Sequence, residues 1–144
     1  MQQLPPEYVV GVVDGEGSFT VYVRNSESEK SRTRRVVVEP KFYIKLIERD
    51  KKILESIQSF FGCGSIYAQR DSRHNHQDCF RYEVFRRDDL VNVIIPFFKK
   101  HKLRFVSKQN DFVLFEKMMN IIEAKGHLTK RGLLTLQKLK QQMH

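Results

Sequence analysis

The chain has 144 residues, 40% of them hydrophobic, with 26 Lys plus Arg against 17 Asp plus Glu and a formal net charge of +9. That size and apolar content point to one domain over residues 1–144 with a core of its own, and exclude a disordered tail. The longest apolar runs, Val9–Val13 and Ile94–Phe98, fall far short of the ~20 residues needed to span a bilayer. Cys63 and Cys79 make no disulfide framework, and the N-terminus shows no basic-then-apolar leader. The expectation is therefore an intracellular, reducing setting, no membrane, and a polyanionic partner.

Pro5-Pro6-Glu7 followed by Tyr8 to Asp14 reads as a helix entered through prolines, over about 7–16. Its valines would suit a strand equally on periodicity alone. Gly15-Glu16-Gly17 ends the element. Ser18 to Arg24 alternates, with Phe19, Val21 and Val23 on one face and Thr20, Tyr22 and Arg24 on the other, as in a half-buried strand. Asn25 to Thr33 is a polar loop, and Arg34 to Lys45 a long second strand in which Pro40 marks a bulge or an edge position. By the same alternation Arg35, Val37, Glu39, Lys41, Tyr43 and Lys45 share a face.

Asp50 is placed to cap a helix running to Phe61, with Gly62 as its stop. Gly64 to Arg70 and Phe80 to Arg86 alternate again; Tyr67 and Gln69 oppose Ile66 and Ala68, and Arg81 and Glu83 oppose Tyr82 and Val84. Asp88-Asp89 opens a helix that Pro96 breaks or restarts. Helices then cover about 107–143: Ser107 to Ile122 buries Phe112, Phe115, Met119 and Ile122, and Thr129 caps the last, which carries Leu133, Leu136, Leu139 and Met143. The order α-ββ-α-ββ-α-α predicts an α+β fold with one four-stranded antiparallel sheet.

Val9-Val10-Gly11-Val12-Val13-Asp14-Gly15-Glu16-Gly17 resembles the motif of the LAGLIDADG homing endonucleases. Gly17-Ser18-Phe19, Phe42-Tyr43-Ile44, Asp50-Lys51 with Ile53-Leu54, Phe60 to Ile66, Tyr82-Glu83-Val84, Ile94 to Phe98, Ser107-Lys108 and His127-Leu128-Thr129 continue the likeness in family order. Gly11 and Gly15 lie four apart and share a helix face that another backbone can approach. The resemblance implies a homodimer that packs two such helices side by side through Val9, Gly11, Val12 and Gly15. It also implies a saddle-shaped sheet and a metal-dependent cut in each strand of DNA.

In the same resemblance Glu16 is catalytic and holds the metal, Mg²⁺ with Mn²⁺ or Ca²⁺ able to take its place. Asp14 is structural. Lys108 best matches the core lysine, with Lys100, Lys102 and Arg104 as near alternatives. The glutamine of the family's solvent network corresponds to Leu46, which cannot serve; Lys45 or Glu48 are the substitutes. The residues carried over as DNA-binding are Thr20, Tyr22, Arg24, Arg35, Lys41, Tyr43, Lys45, Tyr67, Gln69, Arg81 and Glu83. Their mixture of Arg, Gln and Glu suits guanine, adenine and cytosine edges in the major groove. Ser26, Ser28, Lys30, Arg32, Arg73, His74 and His76, at the loop tips, are placed to reach phosphates.

His74, His76 and Cys79 lack the second ligand pair that zinc needs. The single motif requires two chains for two cuts. The reading is a site-specific, intron-encoded nuclease of an organelle or a prokaryotic cytoplasm that cuts a long pseudo-palindromic site to staggered ends. The rivals are a catalytically silent DNA-binding protein, a maturase acting on intron RNA, and a basic regulatory dimer without a metal site.

Overall fold

Pro5 is extended and Pro6 opens the first helix, α1 (Pro6–Glu16), where a missing N–H costs nothing. At about 100° per residue, Val9, Val10, Val13 and Asp14 fall on one arc and Tyr8, Gly11 and Gly15 on the opposite one. The first set is buried and the second exposed, so the amphipathic arc makes this valine-rich segment a helix. Gly17 then turns the chain into β1 (Gly17–Arg24). A Cβ at Gly17 would stand 2.6 Å from a Val13 methyl and 2.9 Å from Val13 Cα, so only glycine permits this helix-to-strand step.

The computed structural model describes residues 3–24, 36–70 and 78–144. β2 (Val37–Ile47) pairs with β1 from Gly17↔Ile44 to Arg24↔Val37. Pro40 sits in register opposite Val21 without a bulge, beyond Phe42↔Val84 where pairing with β4 ends. Its missing N–H therefore leaves both ladders intact. After a 3₁₀ turn, Glu48–Asp50, comes α2 (Lys51–Phe61), closed by Gly62 at φ +72°. Asp50 belongs to that turn and makes no side-chain cap; its backbone, φ −100° and ψ 12°, is not the extended conformation of a capping residue.

β3 (Ser65–Gln69) and β4 (Cys79–Val84) complete an antiparallel sheet of order β1-β2-β4-β3. A continuous helical stretch follows: α3 (Arg87–Asp89), a π turn over Leu90–Ile94, and α4 (Ile95–Lys100). The wide turn lets Pro96 sit at the start of α4, where it neither breaks the stretch nor needs an N–H partner. α5 (Val106–Glu123) and α6 (Lys130–Gln142) end the fold, and Thr129 caps α6 by accepting from Gly132 N at 3.0 Å.

The inward face of the sheet carries Phe19, Val21, Val38, Phe42, Ile44, Tyr82 and Val84, all buried. Against it pack Leu54, Ile57 and Phe61 of α2 and Phe112, Phe115, Met118 and Met119 of α5. Among the described residues no helix is long and apolar enough to cross a membrane.

Phe19 is the hub of this core. Its ring centroid lies 5.1 Å from Phe42, 5.5 Å from Phe98 and 5.4 Å from both Phe112 and Phe115. Phe19→Ala should therefore lower the free energy of unfolding by about 3–5 kcal/mol. Urea denaturation checks this, and a loss under about 1 kcal/mol would mean the core does not close around Phe19.

Candidate functional site

α1 ends in two carboxylates with opposite surroundings. Asp14 is 5% exposed and accepts three hydrogen bonds, from Arg104 N at 3.1 Å to each oxygen and from Phe105 N at 3.1 Å. These amides lie just before α5, Phe105 being its N-cap residue, where the helix end favours a negative charge. Glu16, two residues on and so about 200° around the helix, is exposed at the helix end.

Lys108, in the first turn of α5, donates from Nζ to the carbonyl of Gly17. Asp14 thus fixes where α5 begins, and α5 brings an ammonium to the residue after Glu16. The alternatives to Lys108 sit elsewhere. Lys102 and Arg104 line an open groove of about 400 Å³ along the middle of α1 with Glu7, Val10, Gly11 and His101, and Lys100 is exposed at the end of α4.

Glu16 is a hard oxygen donor, and among the described residues no three His, Cys, Asp or Glu cluster as a ligand set. This donor chemistry fits Mg²⁺, Mn²⁺ or Ca²⁺, which accept few protein carboxylates and complete their shells with water and phosphate oxygens. It does not fit a closed site for a softer metal. Leu46 is half-buried against the core, whereas Lys45 and Glu48 are exposed.

The outer arc of α1 is bare. A Cβ added at Gly11 or Gly15 would meet nothing within 4 Å, and Val12 is half-buried beside them. Val9 is a correction. It has no exposed surface, because two residues of helix separate it from Gly11 by about 200°. It packs inward and cannot meet a second copy.

The register gathers the expected DNA-binding residues on the outward face of the sheet. Thr20 stands opposite Lys41, Tyr43 opposite Glu83, and Arg81 opposite both Lys45 and Tyr67, with Gln69 opposite Cys79. Tyr22 and Arg24 lie on the same face of the β1 edge. Arg35 lies outside the described residues, as do Ser26, Ser28, Lys30, Arg32, Arg73, His74 and His76.

Two features escape sequence reasoning. Lys140 of α6 comes to 5.5 Å from the Tyr22 ring centroid, bringing a cation from the last helix to the sheet edge. Glu83 is 8% exposed instead of projecting freely from the sheet. Burial first, and the nearby Glu83 further, holds the Tyr67 phenol above its usual range against the opposing Arg81, so it remains a hydrogen-bond donor. The charge pairing around Glu83 becomes legible only once the strand register is known.

A family model described as LAGLIDADG endonuclease matches residues 9–119. "Probable intron-encoded endonuclease 2" of Neurospora crassa is 32% identical over 131 residues, covering 90% of this chain and 27% of that protein. The chain spans about a quarter to a third of the curated relatives it matches first. The crystal structure of a homing endonuclease, I-TnaI, superposes with a TM-score of 0.81 at 34% identity, covering 99% of this chain and 90% of that one. The I-SmaMI LAGLIDADG homing endonuclease bound to cleaved DNA gives 0.82 at 35%, covering 98% of this chain and 44% of its own. I-SmaMI has also been solved on an uncleaved DNA target in the presence of calcium ions.

Asp14→Ala would strip a charged acceptor from two amides, one of which donates to both of its oxygens. The expected loss is about 3 kcal/mol of stability. Chemical denaturation measures it, and a change within about 0.5 kcal/mol, the range of an ordinary surface substitution, would show that the contact holds nothing in place.

Proposed function

The chain belongs to the LAGLIDADG endonuclease family, and from that premise we propose that it is a site-specific DNA endonuclease acting as a homodimer. The observation that carries the reading is the exposed Glu16 at the end of α1, next to the carbonyl that holds Lys108. A bare helix face lies beside it. Close approach of two α1 helices across Gly11, Val12 and Gly15 brings two Glu16 side chains together, one for each strand of a duplex.

The division of labour follows from the side chains. Each Glu16 carboxylate holds a divalent ion, Mg²⁺ by preference. When bound, the ion lowers the pKa of the attacking water and stabilises the leaving oxygen. Lys108, restrained by the Gly17 carbonyl, presents positive charge toward the scissile phosphate without having to reorganise. The outward sheet face lies in the major groove of each half-site, where Thr20, Tyr22, Arg24, Lys41, Tyr43, Lys45, Tyr67, Gln69 and Arg81 meet base edges and phosphates, and Arg35 extends that set. Two-fold symmetry makes the target long and pseudo-palindromic, and the two separated centres leave staggered ends.

The match to 90% of the I-TnaI chain but 44% of the I-SmaMI chain supports the need for a second copy. The names of two curated relatives, both called intron-encoded, support an intron-encoded role; an organellar or prokaryotic genome is the setting we propose for it.

Glu16→Gln should bind a target selected from a DNA library as tightly as wild type while cutting it at least about a hundredfold more slowly in Mg²⁺. Wild-type protein that binds duplex DNA yet never nicks it in Mg²⁺ or Mn²⁺ would reduce the chain to a DNA-binding protein. A preference for structured intron RNA over duplex would make it a maturase.

Gly11→Leu or Gly15→Leu should leave the monomer folded, because a Cβ at either position meets nothing within 4 Å. Removing glycine from a helix interior itself favours folding, by roughly 0.5–1 kcal/mol for alanine. The dimer should nonetheless be lost in sedimentation velocity; a dimer that survives both substitutions would place the interface elsewhere.

A further inference from the structure

We propose that Glu83 reads no base itself but is a positioning residue that locks Arg81, the specificity-determining side chain of the sheet. The inference rests on the DNA-reading role proposed above and assigns the parts within it. Three strands converge on one oxygen of Glu83. Arg81 Nη2 lies 3.0 Å from Oε1, Tyr67 donates its hydroxyl to it at 3.2 Å, and Lys41 Nζ stands 3.8 Å away.

The Arg81 contact runs along β4, two residues apart on one face, and the other two are diagonals of the strand register. Glu83 directly faces Tyr43 on β2 and Ser65 on β3, so Lys41 and Tyr67 reach it from one pair to the side. The Glu83 side chain keeps only 10% of its surface exposed, against 17% for Arg81 and 32% for Lys41. A carboxylate enclosed by two cations and a phenol is a poor acceptor for a cytosine amino group. The same enclosure makes it an effective brace.

The brace has a second side. The Arg81 guanidinium carbon lies 3.6 Å from the centroid of the Tyr43 ring, so the planar group stacks on an aromatic face while Glu83 holds its edge. Stacking fixes the plane, and the ion pair fixes rotation within it. Arginine discriminates guanine by placing two donors in that plane at once. An arginine already held there loses little side-chain freedom on binding.

Glu83 also cancels positive charge on the face that meets DNA. Its removal has two effects of opposite sign. Arg81 and Lys41 are released to bind any phosphate, and the fixed plane that tells one base from another is lost. A residue that merely supported the fold would weaken non-specific and specific binding together.

The test is selection of bound duplexes from a library randomised across the half-site, using full-length wild type, Glu83→Gln, Arg81→Ala and Tyr43→Leu. Salt titration of a non-specific duplex accompanies it. Glu83→Gln and Tyr43→Leu are each expected to relax the base pair that Arg81→Ala relaxes, in both half-sites, by about tenfold. For Glu83→Gln the salt dependence of non-specific binding should steepen by a slope of about 0.9 per phosphate gained. If Glu83→Gln alters a different base pair, or leaves the Arg81 base pair unchanged, the inference is overturned while the DNA reading stands. A wild-type pool with no enriched base overturns the DNA reading and this inference with it.

Discussion

The contact on which the site depends is the Asp14 carboxylate, which binds backbone amides 90 and 91 residues further along the chain. Packing of Val9, Val10 and Val13 holds α1 against the core, yet valine contacts do not fix where α5 begins. Three hydrogen bonds to one carboxylate do. With the start of α5 set, Lys108 has one helical turn in which to reach the Gly17 carbonyl, and it does so beside Glu16. A charge-assisted bond to a helix start is stronger than a neutral one and is directional. It therefore suits a task in which an ammonium must sit beside a chosen backbone atom.

The sheet solves a different problem with the same economy of residues. Its inward face is a close-packed set of rings around Phe19, and its outward face carries charges and hydroxyls in rows one strand apart. Pro40 disturbs neither row, because it faces Val21 in register at a point where β4 has already ended. An unbroken alternation over β2 keeps Glu39, Lys41, Tyr43 and Lys45 on one face. A bulge would have thrown half of them into the core.

Much of this was legible in the sequence, for reasons that can be stated. Alternation in Ser18–Arg24 and around Phe42 made strands with assignable faces, and three-and-four spacing with a Thr129 cap made the closing helices. What escaped reading was set by distance along the chain. Nothing local to Asp14 announces Arg104 and Phe105, and nothing local to Glu83 announces Lys41. Val9 was grouped with Gly11, Val12 and Gly15, although it stands about 200° around the helix from Gly11 and is buried. Asp50 has the right side chain for a cap but is the last residue of a 3₁₀ turn, which leaves its backbone in the wrong geometry. The π turn before Pro96 had no sequence signal beyond the proline itself.

The two acids at the end of α1 show why the motif needs both. A carboxylate that accepts three hydrogen bonds from two backbone amides has little capacity left for an ion, and one left exposed for an ion anchors nothing. The roles are exclusive for a single side chain, so they must fall on different residues. Placing those residues two apart turns them about 200° from each other around the helix, which sends one inward and the other to the open end. Gly15, between them, lies with Gly11 on the bare arc, where any side chain would hold off an approaching helix. On the proposed reading, anchor, contact surface and acidic ligand therefore occupy three consecutive positions, Asp14, Gly15 and Glu16. The geometry of one helical turn is what allows them to point in three directions.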